Sequence, residues 1–357
     1  MLMGGKRFLS AEISADKSVA PALALGLVAL ATAVFAALLI GPAPIDRSSV
    51  VVELFDRLPL LNFESGLSSI HENIVWEVRT PRVLLGALVG STLAISGASY
   101  QAVFRNPLAD PYLLGAAAGA GLGATVAIVT GSGDGMGTFD MVPLLAFVGA
   151  IGAVALTYFL GFSSGVQRAP AALLLAGVAI ASFLTAVQTF IQQQNLETIR
   201  QVYSWILGRL NSASWNEVSL LAPYAILASL ILLLCRRTLD VMRLGDVEAM
   251  SVGVRPQLVR FIVIVAASLG TAAAVAVSGL IAFVGIIVPH TVRLIAGASN
   301  RFVLPLSLIY GAAFLVTVDL LGRTLASPAE IPIGVITAFC GAPFFIVVLR
   351  TSKRSLI

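Results

Sequence analysis

The sequence specifies an all-α polytopic membrane protein. Three observations lead to that reading. Hydrophobic residues make up 58% of the 357 and charged residues only 11%, against about 25% charged in soluble domains, and the mean hydropathy is +0.97. Apolar runs about 20 residues long, the length that crosses a hydrocarbon core of about 30 Å, recur from Pro21 to Leu349. Basic residues collect in alternate loops, as the positive-inside rule requires of cytoplasmic segments.

The first run, Pro21 to Gly41, follows Lys6, Arg7 and Lys17. Its unbroken core is too long for a cleaved signal peptide, and no clear small-x-small cleavage site follows it. It therefore reads as an uncleaved first helix behind a cytoplasmic segment, 1–20. Further spans fall at about 83–104, 112–130, 141–160, 171–192, 217–235, 257–277, 279–297, 302–322 and 332–349, so that 21–349 forms one domain of ten transmembrane helices and 350–357 a cytoplasmic tail. One boundary needs an argument from length. The 32 residues between Arg260 and Arg293 carry no charge, and as one helix they would reach about 48 Å, well beyond the hydrocarbon core. A tight turn near Ser278-Gly279 makes a hairpin and returns both arginines to the same side. Both termini are then cytoplasmic.

Charge tests this topology. Fifteen of the 22 basic residues fall inside, among them Arg105, Arg168, Arg236, Arg237, Arg243, Arg255, Arg293 and Arg301, while acids such as Glu53, Glu72, Asp134, Glu197 and Glu330 fall outside. The formal charge of +4 thus hides a basic inner face and an acidic outer one, and no nucleic acid is needed to explain it. Three segments are too long for simple turns: 42–82 and 193–216 outside, and 236–256 inside. The pattern Ile199, Val202, Tyr203, Ile206, Leu210 in the second predicts a short interfacial helix. Spans two to five begin outside and spans seven to ten inside, the opposed orientation of inverted repeats.

The motifs are mostly ones of packing and turning. Glycines at helical spacing, such as Gly86, Gly90 and Gly97 or Gly115, Gly119 and Gly123, let backbones approach where lipid supplies no hydrophobic drive. The inner turn Arg105-Asn106-Pro107-Leu108-Ala109-Asp110-Pro111 is either a rigid connector or the narrow mouth of a pathway. In the outer turn from Arg323 to Pro332, Arg323 has Asp319 and Glu330 as candidate partners. Arg79 and Arg82, at the outer start of span two, can snorkel or receive carboxylates from a docking protein. The segment from Leu244 to Gly253 reads as a short glycine-bounded helix, lying on lipid or inserted in a cytosolic partner's groove.

Absent signatures exclude several classes. No G-x-x-x-x-G-K-[ST] occurs, so the chain does not hydrolyse ATP by the phosphate-loop route. Asp319 is the only acid well inside a span, which argues against an ion-coupled carrier, the alternative from another class. His71 and His290 lack second ligands, and Cys235 and Cys340, in apolar stretches, read as buried small side chains, so no metal site is expected. No nucleophile, base and orienter occur together, so no catalytic residue is named and an enzyme is not expected.

The ordered motifs Arg79-Thr-Pro-Arg82, Ser96-Gly97 with Gln101, Arg105 to Pro111 and Leu114-Gly115 resemble the iron-chelate and cobalamin uptake permeases, the FecCD-type subunits of type II ABC importers. The resemblance continues through Leu174 to Val178, Trp205 to Gly208, Leu244-Gly245 with Ala249 and Gly253, Ser278 to Gly285, Pro289-His290 with Arg293, and Glu330 to Gly334 with Gly341 to Phe345. It implies the type II permease fold in the cytoplasmic membrane of a prokaryote. The permease would pair with a second permease subunit, normally as a homodimer. Two ATPase subunits would hold ATP and magnesium, and an extracytoplasmic binding protein would deliver the cargo. It implies a coupling helix at about 244–254, with Leu244, Gly245, Asp246, Glu248, Ala249, Met250 and Gly253 facing the ATPase. It further implies docking of the binding protein at Arg79, Arg82 and Arg323, and an inner gate at Asn106 and Leu108 with a second at Ala169 and Pro170, where the hydroxyl residues of some relatives are missing. The expected cargo is a ferric siderophore, with haem and cobalamin as alternatives. No cofactor is expected in this chain.

Overall fold

The computed structural model describes residues 3–56, 66–131, 141–163 and 170–352. Among them every regular element is helical. In chain order they are α1 (Met3–Leu39), α2 (Arg47–Asp56), α3 (Ser69–Asn73), α4 (Thr80–Phe104), α5 (Ala116–Val129), α6 (Met141–Ser163), α7 (Pro170–Gln194), α8 (Ile199–Ile206), α9 (Trp215–Met242), α10 (Asp246–Ser251), α11 (Pro256–Ser278), α12 (Val284–Ala296), α13 (Asn300–Thr324) and α14 (Ile333–Ser352). A π-helical stretch at Ile74–Arg79 fuses α3 to α4. Each apolar run of the sequence contains a helix. Among the described residues, seven helices are long and apolar enough to cross a membrane, and three apolar segments, Ala116–Val129, Val284–Ala296 and Ile333–Ile346, are shorter.

Local chemistry sets the helix ends. α4 stops at Arg105, which is left-handed (φ 49°, ψ 36°), just before Asn106-Pro107. α9 opens on a capping box, in which Ser214 Oγ accepts from Asn216 N at 3.1 Å and Glu217 Oε2 accepts from Ser214 N at 2.9 Å. α11 opens on Pro256 and closes at Gly279 (φ 70°), and the chain stays out of helix until α12. The uncharged run from Arg260 to Arg293 is therefore two helices, as its length required. The amphipathic segment after α7 forms α8, which buries Val202 and Trp205 and exposes Tyr203.

α4 runs through the middle of the bundle and packs against α13, α9, α11 and α12. It can do so because glycines remove side chains from its contact lines. A Cβ on Gly97 would stand 2.0 Å from the carbonyl oxygen of Gly285 in α12, and one on Gly90 would stand 2.3 Å from that of Gly311 in α13. α1 lies on α13, where Tyr310 Oη donates to Ala22 O at 2.8 Å. α5, α6 and α7 form a second packed group. α6, α7, α9 and α14 turn large apolar side chains outward, including Phe159, Leu175, Leu234 and Phe339, a surface suited to lipid or another chain.

The close approach at Gly97 gives a direct test. Gly97→Leu is expected to lower stability by about 3 kcal/mol, the upper end of ordinary overpacking, whereas Gly152→Ala, whose new methyl would meet nothing within 4 Å, is expected to be neutral. Fluorescence-detected size exclusion after a thermal ramp reads both.

Candidate functional site

One end of the bundle is rich in arginine and carries the glycine-bounded helix expected from the sequence, α10. Gly245 has φ of 138°, and a Cβ there would lie 1.8 Å from Glu248 Oε2, so any side chain would be both strained and obstructed. Asp246 is held from two sides: Arg260 Nη2 reaches both carboxylate oxygens at 2.9 Å, and Arg105 Nη2 reaches Oδ1 at 2.5 Å. Arg105 Nε also donates to Met242 O at 2.9 Å. Burial works against the Asp246 charge, but the hydrogen bonds and charges of Arg260 and then Arg105 outweigh it and lower its pKa. Ala249 is buried and Gly253 exposed, while Leu244, Val247, Met250 and Val252 form an exposed apolar edge beside the exposed Glu248. Of the residues expected to face a partner, Ala249 is buried, while Asp246 keeps a 39% exposed side chain with its carboxylate bonded to Arg105 and Arg260. The exposed edge includes Val247 and Val252, which the sequence pattern places with Leu244 and Met250 on the apolar face of this segment.

The turn after α4 is a compact polar knot. Asn106 Oδ1 accepts from Leu108 N at 3.0 Å, and Asn106 N donates to Gln101 O at 3.1 Å. Leu108 is exposed and Asn106 half-buried. Asp110 caps the short 3₁₀ turn Pro111–Leu114 by accepting from Tyr112 N at 2.8 Å, and Tyr112 Oη donates to Ile281 O at 3.0 Å. α7 meets this region at Leu113, whose carbonyl oxygen lies 2.1 Å from the place of a Cβ on Gly177. Pro170 is the first residue of α7, and Ala169 lies outside the described residues.

At the opposite end the three arginines do not all emerge. Arg82 binds Asp319 through Nε (3.0 and 3.1 Å) and Nη2 (2.8 Å), and Glu330 through Nη1 (2.8 Å) and Nη2 (3.0 Å). Arg79 is 3% exposed and Arg323 2%. Arg79 donates to Leu38 O, Leu39 O and Ala43 O at 2.9, 3.2 and 3.0 Å, and Arg323 Nη2 donates to Ala37 O at 2.6 Å. The reason is physical: the last carbonyls of α1 have no intrahelical donors, and a cation at a helix C-terminus is favoured. Arg323 keeps only a 3.6 Å approach to Asp319, the partner four residues before it. Arg82 takes both acids, across 237 and 248 residues of sequence, a pairing with no local signal.

Between the turn, the end of α9 and the start of α13 opens a cavity of about 270 Å³ lined by Gln101, Ala102, Arg105, Asn106, Pro107, Arg243, Arg293, Ala298 and Asn300. Among the described residues no group of three or more His, Cys, Asp or Glu could hold a metal. Cys235 is half-buried, but Cys340 is exposed on α14, which corrects the expectation that both are interior; an apolar helix facing lipid or another chain need not bury its small side chains.

Comparison with known proteins agrees with these features. The sequence model of the FecCD transport family matches residues 29–351. The cobalamin import system permease protein BtuC of Halobacterium salinarum is 40% identical over 285 residues, 80% of this chain and 75% of its own. The hemin transport system permease protein HmuU of Yersinia pestis is 39% identical over 309 residues, 82% and 90% of the two chains. A solved structure of a metal-chelate type ABC transporter in an inward-facing conformation superposes with a TM-score of 0.79 at 28% identity, covering 93% of this chain and 99% of that one.

The buried ion pair predicts a stability pattern. Arg82→Met removes every hydrogen bond from Asp319, whose side chain is 3% exposed, and leaves it only the 3.6 Å approach of Arg323; it is expected to lower stability by about 3 kcal/mol. Adding Asp319→Leu is expected to restore most of that loss, read as apparent unfolding temperature in detergent.

Proposed function

The chain belongs to the FecCD transport family, and we propose on that premise that it is the permease of an ATP-driven importer of an iron chelate, a ferric siderophore. The arginine-rich end is assigned to the cytosol and the Arg82 end to the exterior, with ten crossings and both termini cytoplasmic, in the inner membrane of a prokaryote. Relatives named for haem and cobalamin keep those two cargoes as alternatives. The working unit is two copies of this chain, two ATPase subunits carrying ATP and magnesium, and an external binding protein.

One observation carries the reading: α10 and the residues flanking it expose Leu244, Val247, Met250 and Val252 while Asp246 is tied to Arg105 and Arg260. An exposed apolar edge suits a groove on an ATPase. The two ion pairs make the helix a lever, because displacement of α10 pulls on the turn that holds Asn106 and Leu108 and on α11. In this reading Asn106 and Leu108, with Ala169 and Pro170 of the second copy or the same one, close the cytosolic mouth. ATP-driven closure of the partner then biases the bundle between two arrangements by differential contact energy.

Docking of the binding protein is assigned to the end that carries Arg79, Arg82 and Arg323. Arg82 is the first group a carboxylate from outside meets, since its side chain is 11% exposed and Glu330, the partner it would release, is 32% exposed. Arg79 and Arg323 receive a docked carboxylate only by leaving α1. An ion-coupled carrier is disfavoured because Asp319, the acid within the spans, is locked in the Arg82 pair.

The test is uptake of a ferric siderophore into vesicles holding the assembled transporter. Val247→Asp with Met250→Asp, both on exposed side chains, is expected to cut ATP-dependent uptake about tenfold or more, equivalent to about 1.4 kcal/mol of lost contact, with insertion unchanged. Unaltered uptake removes the coupling assignment. Uptake by the chain alone under an ion gradient would replace the whole reading with that of a secondary carrier.

A further inference from the structure

The cavity between the turn after α4 and the end of α9 has a charge pattern that gating does not explain. Its wall holds three guanidiniums, those of Arg105, Arg243 and Arg293. Two carboxylates stand nearby, and both are engaged. Asp246 is shared between Arg105 and Arg260. Asp240 caps the start of α13, accepting from Ser299 Oγ at 2.6 Å, Asn300 N at 2.6 Å and Arg301 N at 3.1 Å, and lies 3.7 Å from Arg243. Arg293 bonds a neutral group, the side-chain oxygen of Gln101, whose own amide is fixed by donating to Gly285 O at 3.0 Å. Among the described residues no carboxylate lies within ion-pair reach of Arg293. Arg243 Nη1 likewise donates to a neutral group, Ala298 O, at 2.7 Å.

A second observation is independent of charge. Asn300 is 2% exposed and lines the same cavity, and its side-chain Nδ2 has no hydrogen-bond partner. A buried amide donor left unpaired is unfavourable, and such groups in native structures are normally satisfied. Three guanidiniums therefore line a polar space, Arg293 bonded to a neutral group and Arg105 and Arg243 each beside a carboxylate that has other donors, and the buried Asn300 with its unpaired amide belongs to the same wall. At about 270 Å³ the space is large enough for a tetrahedral anion with a small substituent.

We propose that this cavity binds an anionic phosphate group, one whose charge is not offset by a cation in the same headgroup as it is in phosphatidylcholine. Arginine forks present paired donors at the geometry of phosphate oxygens, and the Asn300 amide supplies the remaining donor. Two sources share this chemistry: the headgroup of an anionic phospholipid, which enters basic pockets between helices at the cytosolic surface, and free inorganic phosphate. The site is separate from the exposed edge of α10 and does not depend on which cargo the transporter carries.

Native mass spectrometry of the purified full-length chain tests this, with phosphatidylglycerol, phosphatidylcholine and inorganic phosphate as probes. Phosphatidylglycerol is expected to be retained about tenfold or more over phosphatidylcholine, and Arg293→Gln or Arg243→Gln is expected to reduce it to the phosphatidylcholine level, while Arg243→Lys keeps most of it. Retention that inorganic phosphate does not displace identifies a lipid headgroup. Displacement, together with direct phosphate binding to the lipid-free chain, identifies the free anion. If Arg293→Gln does not accumulate, Arg243→Gln on its half-exposed side chain decides alone. Equal binding of both phosphate probes to wild type and variant overturns the proposal.

Discussion

The structure depends on backbone touching backbone along α4. Lipid is as apolar as leucine, so burying leucine between helices gains little, and association rests on close packing and polar contacts. At Gly97 and Gly90 the missing side chains bring α4 against the carbonyls of Gly285 and Gly311. Polar bonds then fix its rotation: Tyr100 shares a 2.6 Å hydrogen bond with Ser268 of α11, and Gln101 reaches Gly285 of α12. With 25 residues, α4 is about 37 Å long at 1.5 Å per residue. It places Arg82 at one end and Arg105 at the other, so the two ion clusters sit on the ends of one rigid rod.

The ends of that rod solve two desolvation problems together. The C-terminus of α1 brings unpaired carbonyls to a site crowded by α4 and α13, and Arg79 and Arg323 bring guanidiniums that need acceptors once buried. Each group supplies what the other lacks. The inward turn of these arginines follows from the presence of α1, whose last carbonyls accept from both. Arg82 differs because two acids already surround it, one nearly buried and one open to solvent.

What the sequence revealed and what it hid divide along the same physical line. Hydropathy and length located the apolar helices and required the break near Gly279, because 32 uncharged residues cannot form one crossing. Glycine and its positive φ marked both ends of α10. The starts of α5 and α12 were misjudged by about four residues: spans beginning at 112 and 279 by hydropathy become α-helices beginning at Ala116 and Val284. Hydropathy counts apolar side chains whatever the backbone does, and Pro111, Tyr112, Leu113 and Leu114 are apolar while forming a 3₁₀ turn. Side-chain partners were hidden altogether. Local spacing suggested Asp319 for Arg323, and that ion pair is present at 3.6 Å, but the hydrogen bonds of Asp319 go to Arg82 and that of Arg323 to a backbone carbonyl, which spacing did not reveal. The basic cavity is unreadable for the same reason, since Arg105, Arg243 and Arg293 belong to three separate segments.

The two breaks are related. α5 is the second helix of the group α4 to α7, and α12 is the second of the group α11 to α14; both are short, and each follows a stretch of irregular backbone. Irregular backbone within an apolar bundle is tolerable only where protein satisfies its polar groups. Here the breaks satisfy each other: Tyr112 of the first donates to the Ile281 carbonyl of the second, and Pro111 packs where a Cβ on Gly285 would stand 2.8 Å from its Cδ. A contiguous set of contacts therefore runs from Asp246 of α10 to Arg105, through the turn at 105–111, to Tyr112 and across to the break ahead of α12. Contiguity alone does not make a signal path, because coupling needs an element with two arrangements. The breaks are where such an element belongs. A continuous helix resists bending along its whole hydrogen-bond ladder, whereas the segment from Gly279 to Phe283 has no ladder to lose, and its Ile281 carbonyl hangs on one tyrosine.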